Sequence, residues 1–505
     1  MSNLSYNYSG EWEDVRKALR NYPTDVILKR ICKEGIEFEK SAKKSDVRRT
    51  KWVEYQVFNT QKRAYEKREI LIATWNLIDL AYYAVMASND YRGDPEISDT
   101  EFYVLADAVT GFTQKREDEQ LDTIESGSKE VFMRLWGFAG EQFKVQDIHK
   151  AFNIAGRELY ILFVSSKKTI GKTLDIPELV KAETGFDWQK IICVLFLAWV
   201  YFSDNCVYSD SALANMNPEL LSKSEFLTII ERYSIDYDGI RNSELGRQVF
   251  YTRPYIITQK KELLGISPYL NLCIYEHCVF WIVREFFRKQ NSQTFTDFFG
   301  SCFERYFEEL LECSLERSEF EKIPEGKDFR ADWRLEIDGF RFLVEQKSSI
   351  MRLNIKQQET NIGSIKEFAK KVIIKAVDQL DRTEKEFEDG PYIKIVLLYD
   401  DYLMPAIIEQ VFEMDECNVE NDGRYWLASI EEMEILLSLC QNQRDVFDAV
   451  IREKNHREMT HSNLGRSLLQ LLSENGINSN DYLEQERIAY YRDFAKENSL
   501  RMLNQ

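Results

Sequence analysis

From residue 12 to about 247, apolar side chains recur at the three- and four-residue intervals of amphipathic helices, with few prolines and with charged, aromatic-studded stretches such as 62–86 and 188–202. The pattern predicts an all-α region. Breaks at 88–101, rich in Asn, Asp, Gly and Pro, and near 125–129 read as loops between helices, and no fixed-period repeat is visible. A strand-like run at 251–258 and a turn at 263–268 lead into a helix carrying Cys273, Cys278 and Trp281, a segment that links two halves. From 295 the pattern changes to one long helix, two short strands, a further helix, and strands at 392–399 and 424–430, the succession of a small α/β domain. Past 432 charged helical sequence returns, interrupted at 475–480, as a C-terminal element. The expected architecture is an α+β multidomain chain divided at 1–247, 248–294, 295–437 and 438–505.

Composition narrows the chemistry. A chain of 505 residues is too long for one core. The formal charge of −19 argues against coating nucleic acid by overall electrostatics, so any such contact must be local. One local exception exists at 352–375, where Arg352, Lys356, Lys366, Lys370, Lys371 and Lys375 face only Glu359 and Glu367. A second basic run, Lys43, Lys44, Arg48 and Arg49 beside Trp52, Tyr55 and Phe58, reads either as a nucleic-acid patch with stacking aromatics or, more commonly, as a solvated helix face. The nine cysteines include no CxxC pair, and Cys273, His277 and Cys278 sit in an apolar helix where core packing is the expected role; disulfides and zinc are not expected. With four histidines in all, the chemistry falls to carboxylates and lysine. Residues 1–12 carry neither a secretory nor a lipidation pattern, which points to the cytoplasm. The longest apolar run, 191–202, is shorter than the roughly 20 residues of a membrane span and reads as a buried core helix.

The informative segment is 331–347, Ala-Asp-Trp-Arg-Leu-Glu-Ile-Asp-Gly-Phe-Arg-Phe-Leu-Val-Glu-Gln-Lys, in which Asp338-Gly339 signals a two-residue hairpin turn. That turn sets the register: Ile337 faces Phe340, Leu335 faces Phe342, Trp333 faces Val344, and the six apolar side chains share one face. The opposite face then holds Asp332 across from Glu345, with Lys347 two residues on and pointing the same way. Opposed carboxylates repel unless a cation lies between them, and oxygen ligands, including the backbone carbonyl of Gln346, suit Mg²⁺. Such an ion polarises a phosphodiester oxygen and activates water, while Lys347 orients the nucleophile or offsets the added negative charge.

Asp332, twelve intervening residues and then Glu345-Gln346-Lys347 resemble the signature of the PD-(D/E)XK nucleases. Ala331 stands where that name has proline, a position that is not a ligand. The resemblance covers about 295–437 and implies a restriction endonuclease-like α/β core with Mg²⁺, replaceable by Mn²⁺, held by Asp332, Glu345 and Gln346. It further implies an acidic ligand from the first helix, for which Glu304 is the choice and Glu308 the runner-up, and a helix after the hairpin, at 364–383, whose Lys371, Lys375 and Gln379 contact the nucleic-acid backbone. The implied function is hydrolysis of phosphodiester bonds, in DNA by the habit of the family. A large helical region before such a core is similar in layout to restriction-like effectors of prokaryotic anti-phage defence, and the chain's acidity suggests gating by a protein partner or by homo-oligomerisation. The alternative is a catalytically silent scaffold whose helices bind protein. A GxxxxGK[ST] loop, the mark of nucleotide hydrolysis, is absent.

Overall fold

The computed structural model describes residues 10–42, 50–59, 63–87, 89, 96–122, 148–169, 173–213, 219–324, 330–350, 367–387, 389–399 and 425–455, with isolated positions 472, 490, 493 and 496. The chain is α+β. Helices α1 (Trp12–Leu19) and α2 (Thr24–Ala42) precede an antiparallel pair, β1 (Thr50–Asn59) and β2 (Ala64–Ala73), followed by α3 (Thr74–Ala87) and α4 (Asp99–Asp122).

This hairpin corrects the all-α reading of the N-terminal region and the helical reading of 62–86. Val53, Tyr55 and Val57 are buried while the residues between them are exposed, the period of two that a strand imposes. The alternation is masked in β2 by Glu66, Lys67, Arg68 and Glu69, which have the look of a solvated helix turn, and the connection carries no Asn-Gly or Asp-Gly signal; an arginine, Arg63, takes the left-handed conformation (φ 52°). The same pleat corrects the aromatic patch. Tyr55 points inward, its hydroxyl donating to Asp107 at 2.5 Å, so it shares no platform with the exposed Trp52 and Phe58; Lys43, Lys44, Arg48 and Arg49 lie outside the described residues.

Next come α5 (Ile148–Phe163), α6 (Ile176–Thr184), α7 (Trp188–Phe202) and α8 (Lys223–Glu231), the last begun by a reciprocal cap between Ser222 and Glu225. A three-stranded sheet of β3 (Ser234–Asp236), β4 (Tyr255–Ile257) and β5 (Leu263–Gly265) follows, with α9 (Tyr237–Arg241) after β3. In α7, Ile191, Ile192, Cys193, Val194, Leu195, Ala198 and Phe202 are buried, the core role expected of this run; among the described residues no single helix is long and apolar enough to cross a membrane. The helix expected to carry Cys273, Cys278 and Trp281 is two helices, α10 (Pro268–Glu276) and α11 (Cys278–Lys289), broken at His277. There the imidazole Nδ1 lies 2.9 Å from Glu158 of α5, whose other oxygen accepts from the Phe280 N–H. Burial pushes the Glu158 carboxyl up to about 8.

The C-terminal half opens with α12 (Thr294–Ser314) and builds a five-stranded sheet from β6 (Phe320–Lys322), β7 (Trp333–Ile337), β8 (Phe340–Lys347), β9 (Ile393–Leu398) and β10 (Tyr425–Ser429). The order across the sheet is β10-β9-β8-β7-β6; β6, β7 and β8 run antiparallel, and β8, β9 and β10 parallel. Between β8 and β9 the described chain is a π-helical turn, Lys370–Ile374, running into α13 (Lys375–Glu386). After β10 a Ser429 and Glu432 capping box starts α14 (Ile430–Asn442), and α15 (Arg444–Lys454) follows.

The β7–β8 register is the one the turn dictates: Ile337 pairs Phe340, Leu335 pairs Phe342 and Trp333 pairs Val344. Asp338 and Gly339 both have positive φ, 51° and 82°, as a type I′ turn requires. One face of the sheet, with Trp333, Leu335, Phe342, Val344, Ile395 and Trp426, packs on α12 and α14. The opposite face is not open. Leu343, Val396, Leu398 and Leu427 pack under Ala369, Val372, Ile373, Ala376, Val377 and Leu380, so the strands are covered on both sides as parallel strands require. The large core that includes α12 and the sheet also takes in α5 to α8, while a second core joins α1 to α4 with 235–270.

Candidate active site

The sheet's covered second face decides the character of the site, because it places Glu345 between sheet and α13 instead of in solvent, with Asp332 half-buried at the start of β7. Asp332 stands one residue before β7, where the ladder loses step. Its N–H donates to the Val344 carbonyl (3.0 Å), so Asp332 and Trp333 both lie against Val344, the two-to-one opposition of a bulge, which corrects the expected direct opposition of Asp332 and Glu345. The Asp332 carboxylate then takes the next position of the missing strand and accepts the Gln346 N–H at 2.6 Å. The Lys347 carbonyl accepts from the Tyr399 N–H, on the β9 side. Because successive peptide groups alternate, the Gln346 carbonyl faces the opposite way, toward the end of β7 where Asp332 lies.

Glu345 is 3% exposed. One oxygen, Oε1, accepts from the Lys347 ammonium at 2.5 Å, and the other, Oε2, is buried with no hydrogen-bond partner among the described residues. Burial pushes this carboxyl up to about 8, the neighbouring Asp332 charge adds to the rise, and Lys347 and the nearby Gln379 side chain oppose it. Burial likewise lifts Asp332 to about 6, opposed by the Gln346 N–H and reinforced by Glu304. Two carboxyls that strain against ionisation, one with an idle oxygen, form a site short of positive charge.

Lys347 is held on its other side by Gln379 of α13, whose Oε1 accepts at 2.9 Å while its Nε2 donates to the Arg330 carbonyl at 3.1 Å. This corrects the place expected for Gln379 on an outward flank with Lys371 and Lys375. Ala376, Gln379, Leu380 and Thr383 form the buried i, i+3, i+4, i+7 stripe of α13, and Gln379 is part of it. Lys371 and Lys375 are exposed, Lys371 pairing with Glu367 at 2.5 Å, and the π turn between them breaks the even spacing of one flank. Gln379 as a site residue was legible in that stripe. The basic residues Arg352, Lys356 and Lys366 lie outside the described residues.

Glu304 lies at the rim. It is on α12 within electrostatic reach of Asp332, but its carboxylate is ion-paired with Lys322 of β6. Glu308, one turn on, is held by Arg305 at 2.7 Å. The structure therefore brings together Asp332, Glu345, Gln346, Lys347 and Gln379, with Glu304 beside them. Among the described residues no three His, Cys, Asp or Glu side chains gather closely enough to hold a metal by themselves. The Gln346 side chain points away from the site, bonded to the Trp333 indole N–H at 2.7 Å, which fixes the peptide whose carbonyl faces Asp332.

Compared with known protein families, with curated proteins and with solved structures, the chain matches none. The functional reading rests on the geometry and on the Asp332/Glu345/Lys347 spacing.

Proposed function

We propose that this chain is a metal-dependent nuclease of the PD-(D/E)XK type, with Asp332, Glu345 and Lys347 as its catalytic centre. The observation that carries the reading is the idle, buried Oε2 of Glu345 beside the Asp332 carboxylate. Both are pushed toward neutrality, and a divalent cation is the ligand that relieves such a pair. Asp332, Glu345 and the Gln346 carbonyl present hard oxygen donors, the set that suits Mg²⁺ with water completing the shell. When bound, the ion supplies Lewis acidity toward a phosphodiester oxygen. Lys347, fixed between Glu345 and Gln379, holds an ammonium next to the reacting phosphate, where it orients the incoming water and offsets negative charge that builds in the transition state. Exposed Lys371, in the π-helical turn, and Lys375, at the start of α13, offer contacts to the phosphate backbone. DNA is the substrate proposed, and anti-phage defence the setting that the layout suggests.

The test is a panel of supercoiled plasmid, linear duplex, single-stranded DNA and RNA incubated with purified protein in Mg²⁺, Mn²⁺ or EDTA. The expected result is cleavage of DNA that EDTA abolishes. Cleavage of RNA alone would move the substrate. Failure to cut any polymer in either metal would favour the silent scaffold.

A further inference from the structure

Lys322 is the last residue of β6, the edge strand of the five-stranded sheet, and its ammonium is ion-paired with Glu304 of α12, which is within electrostatic reach of Asp332. Glu304, Glu308 and Asp332 all act on this ammonium electrostatically, and Asp332 in turn feels both Lys322 and Lys347. A lysine on an edge strand often serves only to discourage pairing with another chain. This one is instead paired with the carboxylate that the family resemblance implies as an additional metal ligand. An ammonium and a divalent cation compete for the same carboxylate, since two cations at contact distance repel strongly. The side chain is 48% exposed, so its four-carbon stem is free to swing away.

We propose that Lys322 is a tethered counter-ion of the metal site, neutralising Glu304 and Asp332 in the ion-free protein and leaving Glu304 when a divalent ion binds. The proposal rests on the metal-site reading above. Lys322 is on this account a positioning residue, because it acts through Glu304 and sets how readily the ion enters.

Calorimetric titration of Mn²⁺ into the full-length protein tests it, comparing wild type with Lys322→Met, Lys322→Arg and Lys322→Met combined with Glu304→Gln. Removing one positive charge a few ångströms from the ion is expected to tighten binding roughly three- to tenfold. Lys322→Arg, which keeps the charge, should bind as wild type does, and the added Glu304→Gln change should cancel the gain. Equal or weaker binding by Lys322→Met, or a gain that survives Glu304→Gln, would overturn the proposal while leaving the metal site standing. Absence of binding in wild type and every variant would remove the metal site and the proposal together. Melting of each variant without metal verifies that the fold is kept.

Discussion

Lys347→Ala is expected to cut the rate of metal-dependent DNA cleavage about 100- to 1,000-fold, the cost of deleting one fixed charge-stabilising donor. Divalent-ion affinity should not fall. The reason lies in the division of labour at the end of β8. The oxygens that would hold an ion belong to Asp332, Glu345 and Gln346, whereas the amine is pinned by Glu345 Oε1 and Gln379 Oε1 and is itself a cation. Removing it takes away transition-state stabilisation and a competitor of the metal at one stroke. Single-turnover cleavage paired with ion titration separates the two effects. Wild-type cleavage by Lys347→Ala would remove this residue from the mechanism.

Glu434→Ala is expected to be the most damaging single change to the fold, costing about 3–5 kcal/mol by leaving a buried cation unpaired. Arg157 of α5 donates to Glu434 of α14 through Nε at 2.6 Å and Nη2 at 2.8 Å, and the Tyr306 hydroxyl of α12 donates to the same carboxylate at 2.5 Å. Arg157 is 4% exposed and Glu434 6%. These three side chains pin α5 to the two helices that cover one face of the five-stranded sheet. Replacing the pair together, Arg157→Met with Glu434→Leu, should recover much of the loss, since the desolvation cost of both charges disappears with them. Urea unfolding of the single and double variants is the measurement. A midpoint for Glu434→Ala close to that of wild type would contradict the role given to this junction.

How much of this was legible in the sequence depended on how local the signal was. The β7–β8 hairpin is legible from Ile337 and Phe340 out to Trp333 and Val344, because Asp338-Gly339 demands positive φ at two positions and the period of two fixes those pairings; the bulge that takes Asp332 out of step with Glu345 leaves no mark in the sequence. The apolar stripe of α12, with Phe299, Cys302, Phe303, Tyr306 and Phe307, was equally plain and is buried. The β1–β2 pair is not legible because an arginine, Arg63, holds the left-handed conformation that Gly or Asn would have advertised, and because the charges of β2 imitate a helix. Strand β6 is three residues long and carries no periodicity to read. The burial of Glu345 was hidden for a different reason. Its neighbours in sequence say which way it points, but only the packing of α13 over that face says what it meets. Likewise Lys322 and Glu304 are distant in sequence, and the fold alone brings them into contact.

Titration of Mn²⁺ into wild type and Glu345→Gln at pH 6 and at pH 8.5 shows whether Asp332 and Glu345 hold a divalent ion. The Glu345 carboxyl is pushed up to about 8 and that of Asp332 to about 6, so an ion must displace protons at the lower pH and meets open carboxylates at the higher. Wild type is expected to bind, markedly more strongly at pH 8.5 than at pH 6, and Glu345→Gln little or not at all at either. Binding by wild type that ignores pH, or that survives Glu345→Gln, would contradict an ion held by these two carboxylates.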